Sequence, residues 1–163
     1  MLWRNASKIH IILKGLFPVP GGANNKFMTV RILVVDDHPV VRHGLRTLLG
    51  GHSEWEIVAE AADGLEAVAQ AGRLKPDVIV LDITMPKMSG LEACRLIRRT
   101  VPACEILMVT QHDSPQMMRE ALEAGARGYV VKSNAARDLL AAVEAVSKHM
   151  PFRALNEPSA ETV

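Results

Sequence analysis

At 163 residues the chain has room for one folded domain of ordinary size and little beyond it. Its 48% hydrophobic and 23% charged residues are those of an ordinary soluble globule, which excludes disordered, collagen-like and coiled-coil classes. Nineteen Lys and Arg against eighteen Asp and Glu give a formal charge of +1. Residues 1–27 hold Arg4, Lys8, Lys14 and Lys26 and no acid, so the remainder is mildly acidic, a poor match for a nucleic-acid surface.

Cys94 and Cys104 are too few for a disulfide framework and lack the C-x-x-C spacing of metal or redox sites, so a reducing cytoplasm is expected. No apolar run approaches the roughly 18 residues of a membrane span. The short apolar stretch from Ile9 to Leu13 is broken by His10 and followed by Lys14, Pro18, Pro20, Gly21 and Gly22. A signal peptide needs a longer run and a small-residue cleavage site. Residues 1–27 are therefore expected to be a flexible extension, or the product of an early start with Met28 as the working one.

From residue 30 onward, β-branched runs alternate with segments of helical period, the arrangement of βαβ units around a parallel sheet. In chain order the predicted pairs are strand 31–35 with helix 40–49, strand 56–61 with helix 64–72, and strand 78–81 with helix 90–99. Strand 106–109 with helix 115–124 and strand 128–131 with helix 135–148 complete a five-stranded sheet. Three runs are nearly all apolar, which suits strands covered on both faces. In the last helix Leu139, Val143 and Val146 form one stripe, with Asp138 and Glu144 facing elsewhere. Asp63-Gly64, Lys75-Pro76, Ser89-Gly90, Ser114-Pro115 and Ser133-Asn134 stand where turns and N-caps belong. After Lys148 the pattern stops, and 150–163, with Pro151 and Pro158, reads as a frayed tail.

In a doubly wound parallel sheet, ligands gather beyond the carboxyl ends of the strands, where strand order reverses. Those ends carry Asp36 and Asp37, Asp82, Thr110 and Lys132, each preceded by an apolar residue. Like-charged carboxylates about 5 Å apart at an effective dielectric of about 20 repel by roughly 3 kcal/mol, so cations must stand among them. Lys132 supplies one, and a divalent ion with oxygen ligands supplies the rest, Mg²⁺ being favoured over zinc because no Cys or His cluster is present. The competing reading makes Asp36 and Asp37 caps of the first helix.

Four stretches carry a family resemblance: Ile32 to Pro39 (ILVVDDHP), Asp77 to Glu92 (DVIVLDITMPKMSGLE), Val109 to Asp113 (VTQHD) and Gly125 to Ser133 (GARGYVVKS). Over about residues 30–149 the sequence resembles a bacterial two-component response regulator receiver domain of the NarL/FixJ type. The resemblance implies a doubly wound, flavodoxin-like (βα)5 fold with strand order 2-1-3-4-5, spanning 28–149. It makes Asp82 the phosphoacceptor, which receives a phosphoryl group from a sensor histidine kinase or a phosphotransfer protein. It makes Asp37 the principal Mg²⁺ carboxylate, with Asp36, Asp82 and the Thr84 backbone carbonyl contributing. Lys132 and the Thr110 hydroxyl would hold phosphoryl oxygens. Tyr129 would turn inward as Thr110 moves, switching the face of the fourth helix, fifth strand and fifth helix toward a downstream protein target. A homodimer formed on phosphorylation also belongs to the family. The domain would catalyse only its own phosphorylation and dephosphorylation.

Some positions depart from the family or stand beside its motifs. Many receivers follow the Lys of strand five with a cis-Pro, whereas Ser133 here makes a cis bond costly. Gln111 would narrow the approach to Asp82. His38 and His112 read as exposed loop histidines, and Gly90 as a turn residue whose backbone angles other residues resist. The fifteen residues from His149 to Val163 cannot build a helix-turn-helix, so no direct nucleic-acid binding and no membrane attachment is expected of this chain, as a single-domain regulator or a truncated one. Two alternatives compete. One is a receiver-fold interaction module that accepts no phosphate; the other is a haloacid dehalogenase-type phosphatase, which expects Asp-x-Asp after the first strand rather than adjacent acids.

Overall fold

Alternating apolar side chains on a central strand can serve two cores at once, because successive residues point to opposite faces. The computed structural model of the protein describes residues 28–154, and over them this is the organising feature. The elements are β1 (Val30–Val35), α1 (Pro39–Gly50), β2 (Trp55–Ala61), α2 (Gly64–Leu74), β3 (Val78–Leu81) and α3 (Gly90–Thr100). They continue with β4 (Glu105–Thr110), α4 (Pro115–Ala124), β5 (Gly128–Val131), a 3-10 turn (Lys132–Asn134), α5 (Ala135–Ser147) and β6 (Phe152–Ala154). The sheet is wholly parallel, in the order β2-β1-β3-β4-β5-β6.

Leu33, Val35, Ile79, Leu81, Ile106, Met108 and Tyr129 face one core with α2, α3 and α4. Ile32, Val34, Val78, Val80, Leu107, Val109 and Val130 face the other with α1 and α5, including the predicted stripe of Leu139, Val143 and Val146. Strands β3, β4 and β5 are buried throughout, as runs with no polar alternation require. The caps at Asp63, Ser89 and Ser114 accept backbone N–H groups of Glu66, Glu92 and Met117, and Ser89 with Glu92 forms a full capping box. Asn134 makes no side-chain cap.

The five-stranded expectation needs correction. Residues 152–154, inside the segment read as a tail, add a sixth parallel strand to the free edge of β5. What holds them lies at the amino ends of the strands. The buried Glu105 accepts from Arg98 at 2.7 Å, from Arg127 at 3.2 Å and from His149 at 2.8 Å. Burial pushes the Glu105 carboxyl up, but these three donors together hold it below the ordinary range. His149 adopts φ 60, turning the chain so that the Phe152 N–H can meet the Arg127 carbonyl. A strand of three residues with an edge partner has no period to read. The expectations for 1–27 and for 155–163 fall outside the described residues. No helix among the described residues is long and apolar enough to cross a membrane.

Candidate functional site

Register alone brings the first two acids together. Val35 pairs with Leu81 across β1 and β3, so the residues that follow, Asp36 and Asp82, leave adjacent strands side by side. This is the point where the order of strands reverses, with β2 on one side of β1 and β3 on the other. Thr110 pairs with Val131, so Lys132 emerges beyond β4, and only a long side chain could reach back to the acids.

It does reach them. The Lys132 ammonium lies 2.6 Å from Asp36 Oδ2 and 3.1 Å from Asp82 Oδ2. Asp36 is 0% and Asp82 3% exposed, so this cation bridges two carboxylates that water scarcely touches. Asp82 Oδ1 accepts the N–H of Ile83 at 2.8 Å, and Asp36 Oδ1 accepts the N–H of His38 at 2.8 Å. Burial pushes the Asp82 carboxyl up; Lys132 pulls it down, the charge on Asp36 adds to the rise, and the balance is upward. For Lys132, burial opposes the ammonium, yet the bonds and charges of Asp36 and Asp82 outweigh it and hold its pKa above the ordinary value.

The capping interpretation of the acidic pair does not survive. The N-cap of α1 is His38, without any side-chain cap bond, and Asp36 spends its Oδ1 on the turn into the helix. Asp37 Oδ1 is a buried atom that accepts no hydrogen bond and lies 3.0 Å from the His38 ring nitrogen, whereas Asp36 Oδ2 is met by the Lys132 ammonium at 2.6 Å. Ligand atoms from Asp36, Asp37, His38 and Asp82 all lie within 4.8 Å of one another. Oxygen-rich donors with an uncommitted carboxylate atom on Asp37 suit a hard divalent cation such as Mg²⁺.

Because Asp82 binds its proton more tightly in the folded protein than in the unfolded chain, stability is lost as pH rises past the ordinary value of 3.8 and through the raised folded one. Asp82→Asn removes that loss. Its urea midpoint at pH 7 is expected to exceed wild type by an amount worth about 1 kcal/mol, as when buried ionic groups are made neutral. The gain should shrink as the pH is lowered toward 3.8; a gain independent of pH would contradict this account.

The loop after β3 is shaped differently from the sequence expectation. Gly90 has no positive φ; the left-handed residue of this loop is Lys87, at φ 66. Gly90 is required for space, since a Cβ there would stand 1.9 Å from the Asp82 carbonyl oxygen. Its N–H donates to the Ile83 carbonyl at 2.7 Å, clamping the start of α3 against the residue after Asp82. Lys87 in turn reaches the Asp63 carboxylate at 2.7 Å, and that bond holds the acid below the usual carboxylate range. No spacing in the sequence signals this tie between two loops.

The remaining predicted residues gather at the mouth. Thr110 is fully buried, and its Oγ1 accepts the N–H of His112 at 3.3 Å. The Tyr129 ring already points inward and is fully buried, and its hydroxyl donates to the His112 carbonyl. Thr84 is exposed on the loop after β3, with its hydroxyl 2.9 Å from His112 Nε2. His112 is thus half-buried and thrice bonded rather than a bystander, whereas His38, with its side chain 61% exposed, fits the loop description while still touching the acids. Gln111 is exposed. The Lys132–Ser133 bond is trans, and the chain passes from Lys132 through one 3-10 turn into α5. Cys94 and Cys104 are free and buried, and burial pushes each thiol up to about 12.

Comparison with known proteins identifies the family. The family described as the response regulator receiver domain matches residues 32–144. The response regulator protein VraR of Staphylococcus aureus is 40% identical over 121 residues, 74% of this chain and 58% of its own length. The chain therefore spans less than two thirds of the curated relatives it matches. A two-component response regulator of the LuxR family from Aurantimonas sp. SI85-9A1 is similar in structure, with TM-score 0.73, 42% identity, and coverage of 76% of this chain and 89% of that one. The isolated receiver domain of RcsB from Salmonella enterica serovar Typhimurium, solved with the phosphomimetic BeF3⁻, gives TM-score 0.72 at 26% identity, covering 77% and 94%. With two buried carboxylates and a bridging lysine at the strand ends, and with two thirds of its length matched by one family, the chain belongs to the response regulator receiver domains of two-component signalling, in the NarL/LuxR branch.

Proposed function

We propose that Asp82 is the phosphoacceptor of this receiver and that the pocket transfers a phosphoryl group to it from a phosphohistidine on a sensor histidine kinase or a phosphotransfer protein. The observation that carries the reading is the Lys132 ammonium held between Asp36 and Asp82, at 2.6 and 3.1 Å. A carboxylate placed there is buried, oriented by the Ile83 N–H, and flanked by the positive charge that a transferred phosphoryl group needs. An Asp82 oxygen attacks phosphorus, the P–N bond breaks with its electrons going to the departing imidazole, and a new P–O bond makes an acyl phosphate.

Receiver domains generally bind Mg²⁺ at an acidic pocket; here Asp37, Asp36, Asp82 and the Thr84 carbonyl would hold it, and it supplies charge neutralisation for the phosphoryl oxygens. The Thr110 hydroxyl donates to a phosphoryl oxygen after transfer, giving up its present bond from His112. Tyr129, on the strand between α4 and α5, passes the change to the α4–β5–α5 face, where a downstream protein target or a second copy docks. Phosphorylation biases two packings of that face rather than creating a new one. The protein acts in the cytoplasm, and its only catalysis is the gain and loss of its own phosphoryl group.

Intact mass after incubation with Mg²⁺ and acetyl phosphate tests this directly. One added phosphoryl group is expected in the wild type and none in Asp82→Ala. An unmodified wild type would favour the phosphorylation-independent interaction module and overturn the proposal.

A further inference from the structure

His112 lies two residues beyond Thr110 in the stretch Val109 to Asp113 and has been given no role above, yet it joins three separate parts of the pocket. Its imidazole Nε2 is 2.9 Å from Thr84 Oγ1, on the loop after β3. Its N–H donates to Thr110 Oγ1 at 3.3 Å, at the end of β4. Its carbonyl accepts from the hydroxyl of Tyr129, on β5. Two of these bonds use the peptide group, which any residue at 112 could offer; the bond to Thr84 needs the imidazole.

From this arrangement we infer that His112 is a positioning residue that couples the Asp82 pocket to Tyr129. The inference rests on the reading of Asp82 as phosphoacceptor. When the Thr110 hydroxyl turns toward a phosphoryl oxygen, it leaves the His112 N–H. The peptide at 112 is then held from the pocket side by Thr84 through the imidazole, and from the core side by the Tyr129 hydroxyl. A shift of the loop that carries Asp82 and Thr84 therefore travels through one side chain to one carbonyl and on to the buried ring. Burial pushes the Tyr129 phenol up to about 12, so it remains a donor across the physiological range. Without the imidazole, the loop after β4 keeps its place whatever the loop after β3 does, and the ring receives no signal. A residue that couples two sites leaves acceptance of the group intact and removes only its consequence.

Tyr129 is the single tyrosine of the chain, so incorporation of 3-fluorotyrosine gives one ¹⁹F resonance that reports its surroundings. With the full chain, Mg²⁺ and acetyl phosphate, the wild type is expected to gain one phosphoryl group by mass and to move its ¹⁹F resonance. His112→Ala should gain the same mass with the shift lost, and His112→Gln, which keeps a polar group within reach of Thr84, should recover at least about half of it. His112→Leu, which keeps the bulk of the ring and removes its polar atoms, should gain the mass and lose the shift as His112→Ala does. A wild-type ¹⁹F shift in phosphorylated His112→Ala overturns the coupling, as does a His112→Ala protein that no longer accepts the group. A wild type that gains no mass overturns the phosphoacceptor reading itself, a result distinguishable from both. Should His112→Ala fail to fold, His112→Leu decides, by keeping or losing the shift while gaining the mass.

Discussion

Lys132→Met is expected to destabilise the protein by about 3 kcal/mol at pH 7 and to abolish phosphoryl uptake from acetyl phosphate. Removing one partner of a buried ion pair costs roughly 3–5 kcal/mol, because the other partner stays behind without compensation. Here two carboxylates stay behind, at 0% and 3% exposure. The lower end of the range applies because the lysine side chain is itself 16% exposed, so water reaches its end of the pocket. The pH dependence has a definite sign. The folded pKa of Lys132 is raised, so its stabilising effect is fully present below the ordinary 10.5 and is lost as pH rises through the folded value. On the acid side the deficit of the variant should shrink as Asp82, whose folded pKa is also raised, takes up a proton and ceases to need a cation. Added Mg²⁺ should narrow the gap as well, since an ion that binds only the folded protein stabilises it by mass action. Urea unfolding at pH 5 and pH 7, with and without Mg²⁺, checks this; a variant within about 0.5 kcal/mol of wild type at pH 7 would refute it.

The second large effect belongs to Gly90→Ala. By helix propensity alone this change at the first residue of α3 would favour the alanine by up to about 1 kcal/mol. The structure reverses that sign. The new Cβ would sit 1.9 Å from the Asp82 carbonyl oxygen and 2.8 Å from the Asp82 carbonyl carbon and the Ile83 Cα. All three are backbone atoms, so no rotamer change relieves the clash, and either α3 or the end of β3 must move. Overpacking of this kind costs roughly 1–3 kcal/mol and occasionally more, and about 3 kcal/mol is expected here. Because the displaced backbone carries Asp82, the proposed phosphoacceptor, uptake of the phosphoryl group should fall at least about tenfold, the factor that 1.4 kcal/mol of misplacement produces. Gly72→Ala, inside α2 with nothing within 4 Å of the new Cβ, is the control and should stabilise slightly. Equal behaviour of the two variants would remove the steric explanation for Gly90.

These two residues show how the pocket is built. Lys132 reaches across β4 to supply charge, while Gly90 lets a helix begin against the strand end that presents Asp82. Burial and the neighbouring Asp36 disfavour the charged form of Asp82 and push its pKa up, and a cation and a phosphoryl group would relieve that penalty.

Much was legible in the residues alone. The alternation of apolar runs and helical stripes foretold five parallel strands and five helices, each within two residues of its observed bounds, because a strand buried on both faces and an amphipathic helix each leave a period in the chain. The polar residues directly after four of those strands identified the rim, because in a parallel sheet all carboxyl ends point the same way. What the sequence could not show were interactions made between distant segments with no period of their own. The strand at 152–154 exists because β5 offers it an edge and Glu105 anchors the turn before it. The reason for Gly90 is a neighbouring carbonyl rather than a backbone angle. The three bonds of His112 join residues 17 and 28 positions away, as well as one two positions back. Local pattern determined the elements and the rim they share; which side chains meet there, at what distance and with what burial, was decided only when the strands packed in register, since contact between remote residues is a property of the folded chain.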